Sequence, residues 1–314
     1  MARFVVRRLV SVLFVLFAIS IVTFLIFQAI PSGDPALRLA GRLATPQQVQ
    51  DVREQWGFDK PVPVQYVKTI EKIATGEVVS YTQQINVLDE IVRDLPATLS
   101  LAIGAGAIWL SLGVLFGLLS AMTAGRFLDR TLTVLSLVGV STPVFLLGAV
   151  MLYYLGYELG LFPLGGYVGI TDDPWGWLTH MLMPWFALSL LFIGVYSRVL
   201  RSTVLDTINE DYVRAARAKG ISERRVLVRH VLRNSLIPVI SLFGLDFAAV
   251  FGGGALLTES VFNLHGVGQY AAESIQRLDV PPVLVVTMLG ASAVVLLSAV
   301  VDIVYAALDP RIRL

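Results

Sequence analysis

The chain alternates long apolar runs with short polar ones. Between Arg8 and Asp34 lie 25 uncharged residues, between Asp94 and Arg126 lie 31, between Arg130 and Glu158 lie 27, and between Asp173 and Arg198 lie 24. Arg233 to Glu259 encloses 25 residues with Asp246 as the sole charge, and Asp279 to Asp302 encloses 22 uncharged ones. Each run can cross a hydrocarbon core of about 30 Å as a helix. In lipid only a helix or a closed barrel satisfies its own backbone, and runs this continuous lack the alternation of barrel strands. The pattern therefore predicts an all-α, polytopic membrane protein with six transmembrane helices. The first run, Leu9 to Ile30, exceeds the h-region of a signal peptide and ends in Pro31-Ser-Gly-Asp-Pro35 with no small-x-small cleavage site. It is expected to stay as the first span.

Composition narrows the class. Of 314 residues, 56% are hydrophobic and 15% charged, against about 25% charged in an average soluble domain. The mean hydropathy is +0.74. These values argue against a soluble enzyme, a disordered chain and a free nucleic-acid binder. With no cysteine, disulfides and thiolate chemistry are excluded. The three histidines, His180, His230 and His265, lie far apart and outside any HExxH pattern, so no metal site is expected. With six spans both termini share one side. Counting that side as cytoplasmic places 16 of the 24 Lys and Arg inside, and seven of the other eight lie in the single long segment 31–96. Positive charge collects on the cytoplasmic side and long loops cross regardless of charge, so both termini are expected in the cytoplasm.

Segment 31–96 is too long and polar for a connector. Thr45-Pro46 predicts an N-cap with proline in the first turn, the helix running through Gln55 and stopping at Gly57. A second helix, Val64 to Ala74, should stop at Gly76. The segment is expected to be a small external subdomain, either a cover over the span ends or a docking surface or lid.

Segment 198–236 is the cytoplasmic counterpart. Asp206 to Lys219 suits a helix with acids (Asp206, Glu210, Asp211) leading and cations (Arg214, Arg217, Lys219) trailing, as the helix dipole prefers. Gly220 fits the C′ position, and Ser222 is expected to cap a second helix running into the fifth span. Tyr212, Ala215, Ala216 and Lys219 share a face at helical spacing. A solvated topological loop, a helix-turn-helix DNA reader and a helix docking on a cytoplasmic partner all compete here. Membrane tethers at both ends disfavour DNA, and two structured helices with a small-residue face favour the docking helix.

Within the spans, Asp246 and Asp302 are functional candidates because intramembrane carboxylates are costly. Asp246 suits a proton relay in a secondary transporter, or a hydrogen-bonded structural carboxyl in a polar path. Gly104, Gly106, Gly113, Gly117 and Ser120, with Gly252, Gly253 and Gly254, suit close helix packing. The triple glycine can also break its helix and shape a path or gate.

The segment Asp211-Tyr-Val-Arg-Ala-Ala-Arg-Ala-Lys-Gly220 resembles the cytoplasmic loop of bacterial ABC-importer permeases, whose pattern is E-A-A, three residues, G. Ala215, Ala216 and Gly220 match; Arg214 replaces the glutamate, and Arg233 stands where a proline is general. Both departures resemble the peptide-permease branch, as does His230-Val-Leu-Arg-Asn-Ser-Leu-Ile-Pro238. Arg7-Arg8-Leu9, Thr23-Phe-Leu-Ile26, Gly33-Asp-Pro35, Leu95-Pro-Ala-Thr-Leu99, Ser141-Thr-Pro-Val-Phe145 and Asp309-Pro-Arg-Ile-Arg313 extend the resemblance along the chain. Gly76-Glu-Val-Val-Ser80 and His265-Gly-Val-Gly268 depart from the family's usual G-D-L-G-x-S and P-G-x-G.

The resemblance implies the first permease subunit of a dipeptide or oligopeptide importer of type I architecture, in the bacterial cytoplasmic membrane. It implies domains 1–30 (first span), 31–94 (extracytoplasmic subdomain) and 95–308 (five-helix transporter domain with coupling loop 198–236). The implied partners are a second, homologous permease, two ATP-binding subunits and an extracytoplasmic substrate-binding protein. No G-x4-G-K-[S/T] loop occurs, so the chain is expected to be no enzyme and to bind no cofactor, ATP and Mg residing on the partners. Asp211, Tyr212, Arg214, Ala215, Ala216, Arg217, Lys219 and Gly220 are the implied ATPase-coupling residues. Asp246, Gly252, Gly253 and Gly254 are candidates for the translocation path or gate. Peptide is the expected cargo, with a nickel chelate, glutathione or an oligosaccharide as alternatives on the same machinery.

Overall fold

The computed structural model describes residues 2–29, 34–40 and 44–308. The turn residues 31–33 and the Asp309–Arg313 motif lie outside them, as does the side chain of Asp302. Among the described residues the chain is helical, with one isolated antiparallel bridge, Val79 to Asn86. The elements are α1 (Ala2–Ala29), α2 (Pro35–Ala40), α3 (Pro46–Trp56), α4 (Val62–Thr75), α5 (Val87–Met122), α6 (Phe127–Ser141), α7 (Val144–Met151), α8 (Pro174–Thr207) and α9 (Asp211–Ala218). They continue with α10 (Glu223–Arg225), α11 (Arg233–Ala249), α12 (Leu256–Val261), α13 (Val267–Gln276) and α14 (Val280–Leu308). Three π-helical segments, Leu152–Glu158, Val226–Leu232 and Val250–Gly254, extend α7, join α10 to α11 and extend α11.

Four helical stretches are long and apolar enough to cross a bilayer: Val87–Met122, Pro174–Thr207, Glu223–Gly254 and Val280–Val300. The third apolar window does not form the expected straight span. It breaks into Phe127–Ser141 and Val144–Glu158, bent by 97°. Pro143 causes the break: it has no N–H to donate and pushes Thr142 out of the helical region, to φ −89°, ψ 120°. The first window is covered by α1.

Contacts fix the helix directions. Along α5 and α8, Ser100 meets Trp185, Ala105 meets Ser189 and Gly117 meets Ser197, so the two run parallel. Helix α6 is antiparallel to α8, with Ser136 Oγ 2.8 Å from Ser197 Oγ and Asp129 bonded to Arg201. Helix α11 is antiparallel as well, from Ser235 beside Thr207 to Asp246 beside Tyr196. Such alternation is what successive spans require. The close approaches depend on missing side chains. A Cβ on Gly113 would lie 2.6 Å from Tyr196 Cβ, and one on Gly117 would lie 2.7 Å from the Ser197 carbonyl. The predicted small-residue packing thus joins α5 to α8. Their shared core holds Trp109, Tyr196, Leu101, Leu200 and Met181, all fully buried. The outer faces stay apolar, as lipid contact demands: Leu13, Phe14, Val134, Leu135 and Val138 are exposed. Tyr153, Tyr154, Tyr157 and Trp175 are exposed as well.

In the segment before α5, Thr45 accepts from Gln48 N in a reciprocal capping box, and Gly57 ends α3 at φ +69°. Helix α4 ends at Gly76, as its sequence predicts. It packs on α1 through Tyr66, whose ring meets Phe24 edge-on and whose hydroxyl lies 2.7 Å from Ser20 Oγ.

Candidate functional site

The loop following α8 is a compact helical hairpin. The single helix expected over 206–219 is two pieces. Asn209 Nδ2 bonds the Leu205 carbonyl at 2.9 Å, closing the end of α8, and Glu210 is extended at φ −66°, ψ 148° before α9 begins. Gly220 takes φ +75°, and Ile221 N returns to the Ala216 carbonyl at 3.3 Å. Ser222 precedes α10, though its side chain makes no capping bond.

Val213 and Ala216 face inward and are buried, packed in one core with Val226 and Val231. Asp211, Tyr212, Arg214, Ala215, Lys219 and Gly220 are exposed, and Arg217 is half-buried. The alanine pair is therefore divided: Ala216 holds the hairpin together and Ala215 faces out. Tyr212 is anchored, donating to the His230 carbonyl at 3.2 Å and accepting from Asn234 Nδ2 at 2.7 Å. Arg217 pairs with Glu223 across the turn at 3.0 Å, and Arg214 pairs with Asp211. The two spans that flank the hairpin are also tied to each other. Ser235 Oγ bonds Thr207 Oγ1 at 3.1 Å and the Thr203 carbonyl at 3.2 Å, and Thr203 Oγ1 donates to the Ser235 carbonyl at 3.1 Å. Through Tyr212 α9 is joined to His230 and Asn234, and through Ser235 α11 is joined in turn to α8.

Nearby, on the same end of the bundle, Asp129 is buried and receives Arg201 as a fork, Nε at 2.7 Å and a terminal nitrogen at 2.8 Å. Ser120 Oγ and Gly125 N complete its bonds. The fork clamps the α5–α6 turn to α8. Sequence reasoning missed it, because Asp129 and Arg201 counted only as loop charges.

In the membrane interior Tyr196 Oη donates to Asp246 Oδ2 at 2.8 Å, beside an aromatic cluster of Trp109, Phe192, Phe243 and Phe247. The carboxylate is half-buried and bonded. Of the three glycines, Gly252 lies against α14, where a Cβ would come within 3.0 Å of the Gly290 carbonyl. Gly253 sits at φ +118° in open space and breaks the helix.

At the opposite end, two buried carboxylates hold the chain. Glu259 accepts from Thr98 Oγ1 and from Gln269 N, both at 2.8 Å, and so caps the start of α13 from a distance. Burial pushes its carboxyl above the usual range. Cβ atoms on Gly266 and Gly268 would come within 2.5 and 2.9 Å of that carboxyl, which accounts for glycine at both positions. Asp279 accepts from Ser80 Oγ (2.5 Å), Tyr81 N (2.9 Å), Thr82 N (3.1 Å) and Thr82 Oγ1 (2.5 Å), tying the segment before α5 to α14. Both acids stand at the bounds of apolar windows, the one signal in the sequence that marks them. No group of three His, Cys, Asp or Glu able to hold a metal occurs among the described residues.

Residues 113–314 match the model of the binding-protein-dependent transport system inner membrane component, and residues 1–102 match the N-terminal model of such membrane components. A probable peptide ABC transporter permease protein of Sinorhizobium fredii is 35% identical over 314 residues, all of both chains. The dipeptide transport system permease protein DppB of Lactococcus lactis is 35% identical over 317 residues, again all of both chains. The glutathione transport system permease protein GsiC of Escherichia coli is 34% identical, covering 100% of this chain and 99% of that one. Among solved structures, an inward-facing MetNI methionine ABC transporter shares the fold, with a TM-score of 0.57 at 17% identity over 70% of this chain and 96% of that one.

Proposed function

The chain belongs to the binding-protein-dependent transport system inner membrane component family, and from that membership we propose that it is the permease subunit of an ATP-driven importer of di- and oligopeptides. The observation that carries the coupling assignment is the α9 hairpin. Its inner face, Val213 and Ala216, is consumed by its own spans, while Asp211, Arg214, Ala215 and Lys219 face out, free for a partner. An ATP-binding subunit would seat there, with ATP and Mg bound on the partner alone. A second permease and an extracytoplasmic binding protein complete the assembly. In this reading α9 lies in the cytoplasm with both termini, segment 31–94 lies outside and 95–308 is the transporter domain. Closure of the ATPases moves α9; the bonds of Tyr212 to His230 and Asn234 carry that motion to α11, and the Ser235 bonds to Thr203 and Thr207 pass it to α8. Asp246, Gly252, Gly253 and Gly254 stand near the path or its gate.

The relative named for glutathione supports a second cargo reading, since glutathione is itself a small peptide-like thiol. Uptake of labelled di- and oligopeptides and of glutathione, in cells with and without this chain, tests both. Loss of peptide uptake without the chain is expected. Unchanged uptake of every peptide, with loss for another solute, would overturn the peptide assignment.

A further inference from the structure

A cavity of about 140 Å³ opens at the end of the bundle opposite α9, where the start of α5 meets α13. Glu90, Arg93 and Asp94 of α5, His265 of the α12–α13 loop, and Gln269, Tyr270 and Glu273 of α13 line it, together with Gln83 and Ile85. The Tyr270 side chain is 7% exposed, yet its buried hydroxyl has no hydrogen-bond partner. A buried, unpaired hydroxyl is costly, and in a polar cavity it marks a place for a ligand.

Charge identifies the ligand. Arg93 pairs with Glu90 and with Asp94, the latter at 3.2 Å, but its side chain is 68% exposed, so solvent weakens both pairs. Glu273 pairs with Arg277 at 3.3 Å and accepts from Gln269 Nε2 at 3.0 Å. Three carboxylates, Glu90, Asp94 and Glu273, thus line the cavity against one arginine and one histidine, so acids outnumber basic groups. An anion is repelled. The acids do not converge as metal ligands do. A small cation with several N–H donors matches an unpaired hydroxyl, side-chain amides and carboxylate oxygens together.

We propose that this cavity binds a primary ammonium group. Resting on the peptide-import reading, its natural occupant is the amino terminus of a peptide, received by the permease itself. His265 stands in the P-G-x-G-like turn that departs from the family pattern, and its side chain lies at this cavity and nowhere near α9.

The test uses the assembled permease and ATPase complex in lipid nanodiscs, without binding protein. n-Butylamine is titrated calorimetrically at neutral pH, against n-butanol (same shape, no charge) and tetramethylammonium (charge, no N–H). Saturable binding of butylamine, none of butanol, and tetramethylammonium weaker by about tenfold are expected. Tyr270→Phe and Asp94→Asn should each weaken butylamine about tenfold. Because Asp94→Asn alters a buried acid, the thermal midpoint of each variant is measured alongside; Tyr270→Phe removes one unpaired buried oxygen and should not lower that midpoint. Absence of saturable butylamine binding, equal binding of tetramethylammonium, or an unaltered affinity in a well-folded Tyr270→Phe complex overturns the site. Trialanine should displace butylamine and N-acetyl-trialanine should not; equal behaviour of the two overturns the peptide terminus as occupant. Cellular peptide uptake is scored separately, so a failed cargo reading shows there while butylamine binding persists.

Discussion

Replacing Arg201 by methionine keeps the length and packing of the side chain and removes its charge. It leaves the Asp129 carboxylate, 4% exposed, without its fork. Removing one partner of a buried ion pair typically costs about 3–5 kcal/mol. Two features lower that figure here: the Arg201 side chain is 33% exposed, and the carboxylate keeps its bonds from Ser120 and Gly125. A loss of about 2–3 kcal/mol follows, equivalent to a melting midpoint about 4–6 °C lower for a chain of this size. The assay is thermal unfolding of the purified complex, followed by intrinsic fluorescence. Asp129→Leu with Arg201→Met replaces the pair by apolar groups and should regain most of the loss, since an apolar pair needs no desolvated counter-charge. If Arg201→Met melts within about 1 °C of the parent, or the double variant is less stable than the single one, the clamp between the α5–α6 turn and α8 contributes nothing.

Ala215→Arg, on the exposed face of α9, should leave the melting midpoint unchanged and reduce ATPase retention in a pull-down several-fold. Ala216→Arg should instead destabilise the permease by more than the roughly 1–3 kcal/mol of plain overpacking, because it adds a buried charge; retention of ATPases by Ala215→Arg at the parent level would remove α9 as the coupling element. Gly220→Val forces a β-branched residue to φ +75° and should cost about 1–3 kcal/mol in the same melting assay. Asp246→Asn should keep substantial ATP-driven uptake, since asparagine still accepts from Tyr196; uptake that collapses with an uncoupler while ATP is held constant would point to proton coupling. Glu259 has a raised pKa, so its folded form holds the proton more tightly than the unfolded chain. Its contribution to stability is fully present below the ordinary carboxylate range and is lost as pH rises through the raised value. Glu259→Gln should flatten that part of the pH–stability curve measured by thermal unfolding.

The apolar windows made four of the spans legible, because a run without charges has few alternatives in lipid. Local chemistry placed Thr45, Gly57, Gly76 and Gly220 at helix ends with similar certainty, each effect being contained within a few residues. What the pattern could not show was geometry set by one residue against its surroundings. Pro143 reads as apolar and leaves the window intact, yet it bends the third span. Asn209 reads as a polar helix residue, yet its side chain ends α8 and divides the expected 206–219 helix. The inward turn of Ala216 and the outward turn of Ala215 depend on where Val226 and Val231 lie, which helical spacing alone does not specify. The long-range bonds of Glu259 to Thr98 and of Asp279 to Ser80 join residues 161 and 199 positions apart, beyond any local signal.

The bend at Thr142–Pro143 bears on how the protein is made. Helix α6 has 15 residues, about 22 Å of rise, short of a hydrocarbon core of about 30 Å. Its continuation beyond the bend is no longer. Neither half can be released into lipid as a finished span. The third segment is then expected to wait beside the insertion machinery until α8 is synthesised and supplies the face on which Ser136 meets Gly194 and Gly139 meets Leu190. Ribosome-bound chains ending before residue 174 should leave α6 accessible to aqueous labelling, and chains extended through α8 should protect it. The order of synthesis, and not hydropathy alone, then settles the topology of the middle of the molecule.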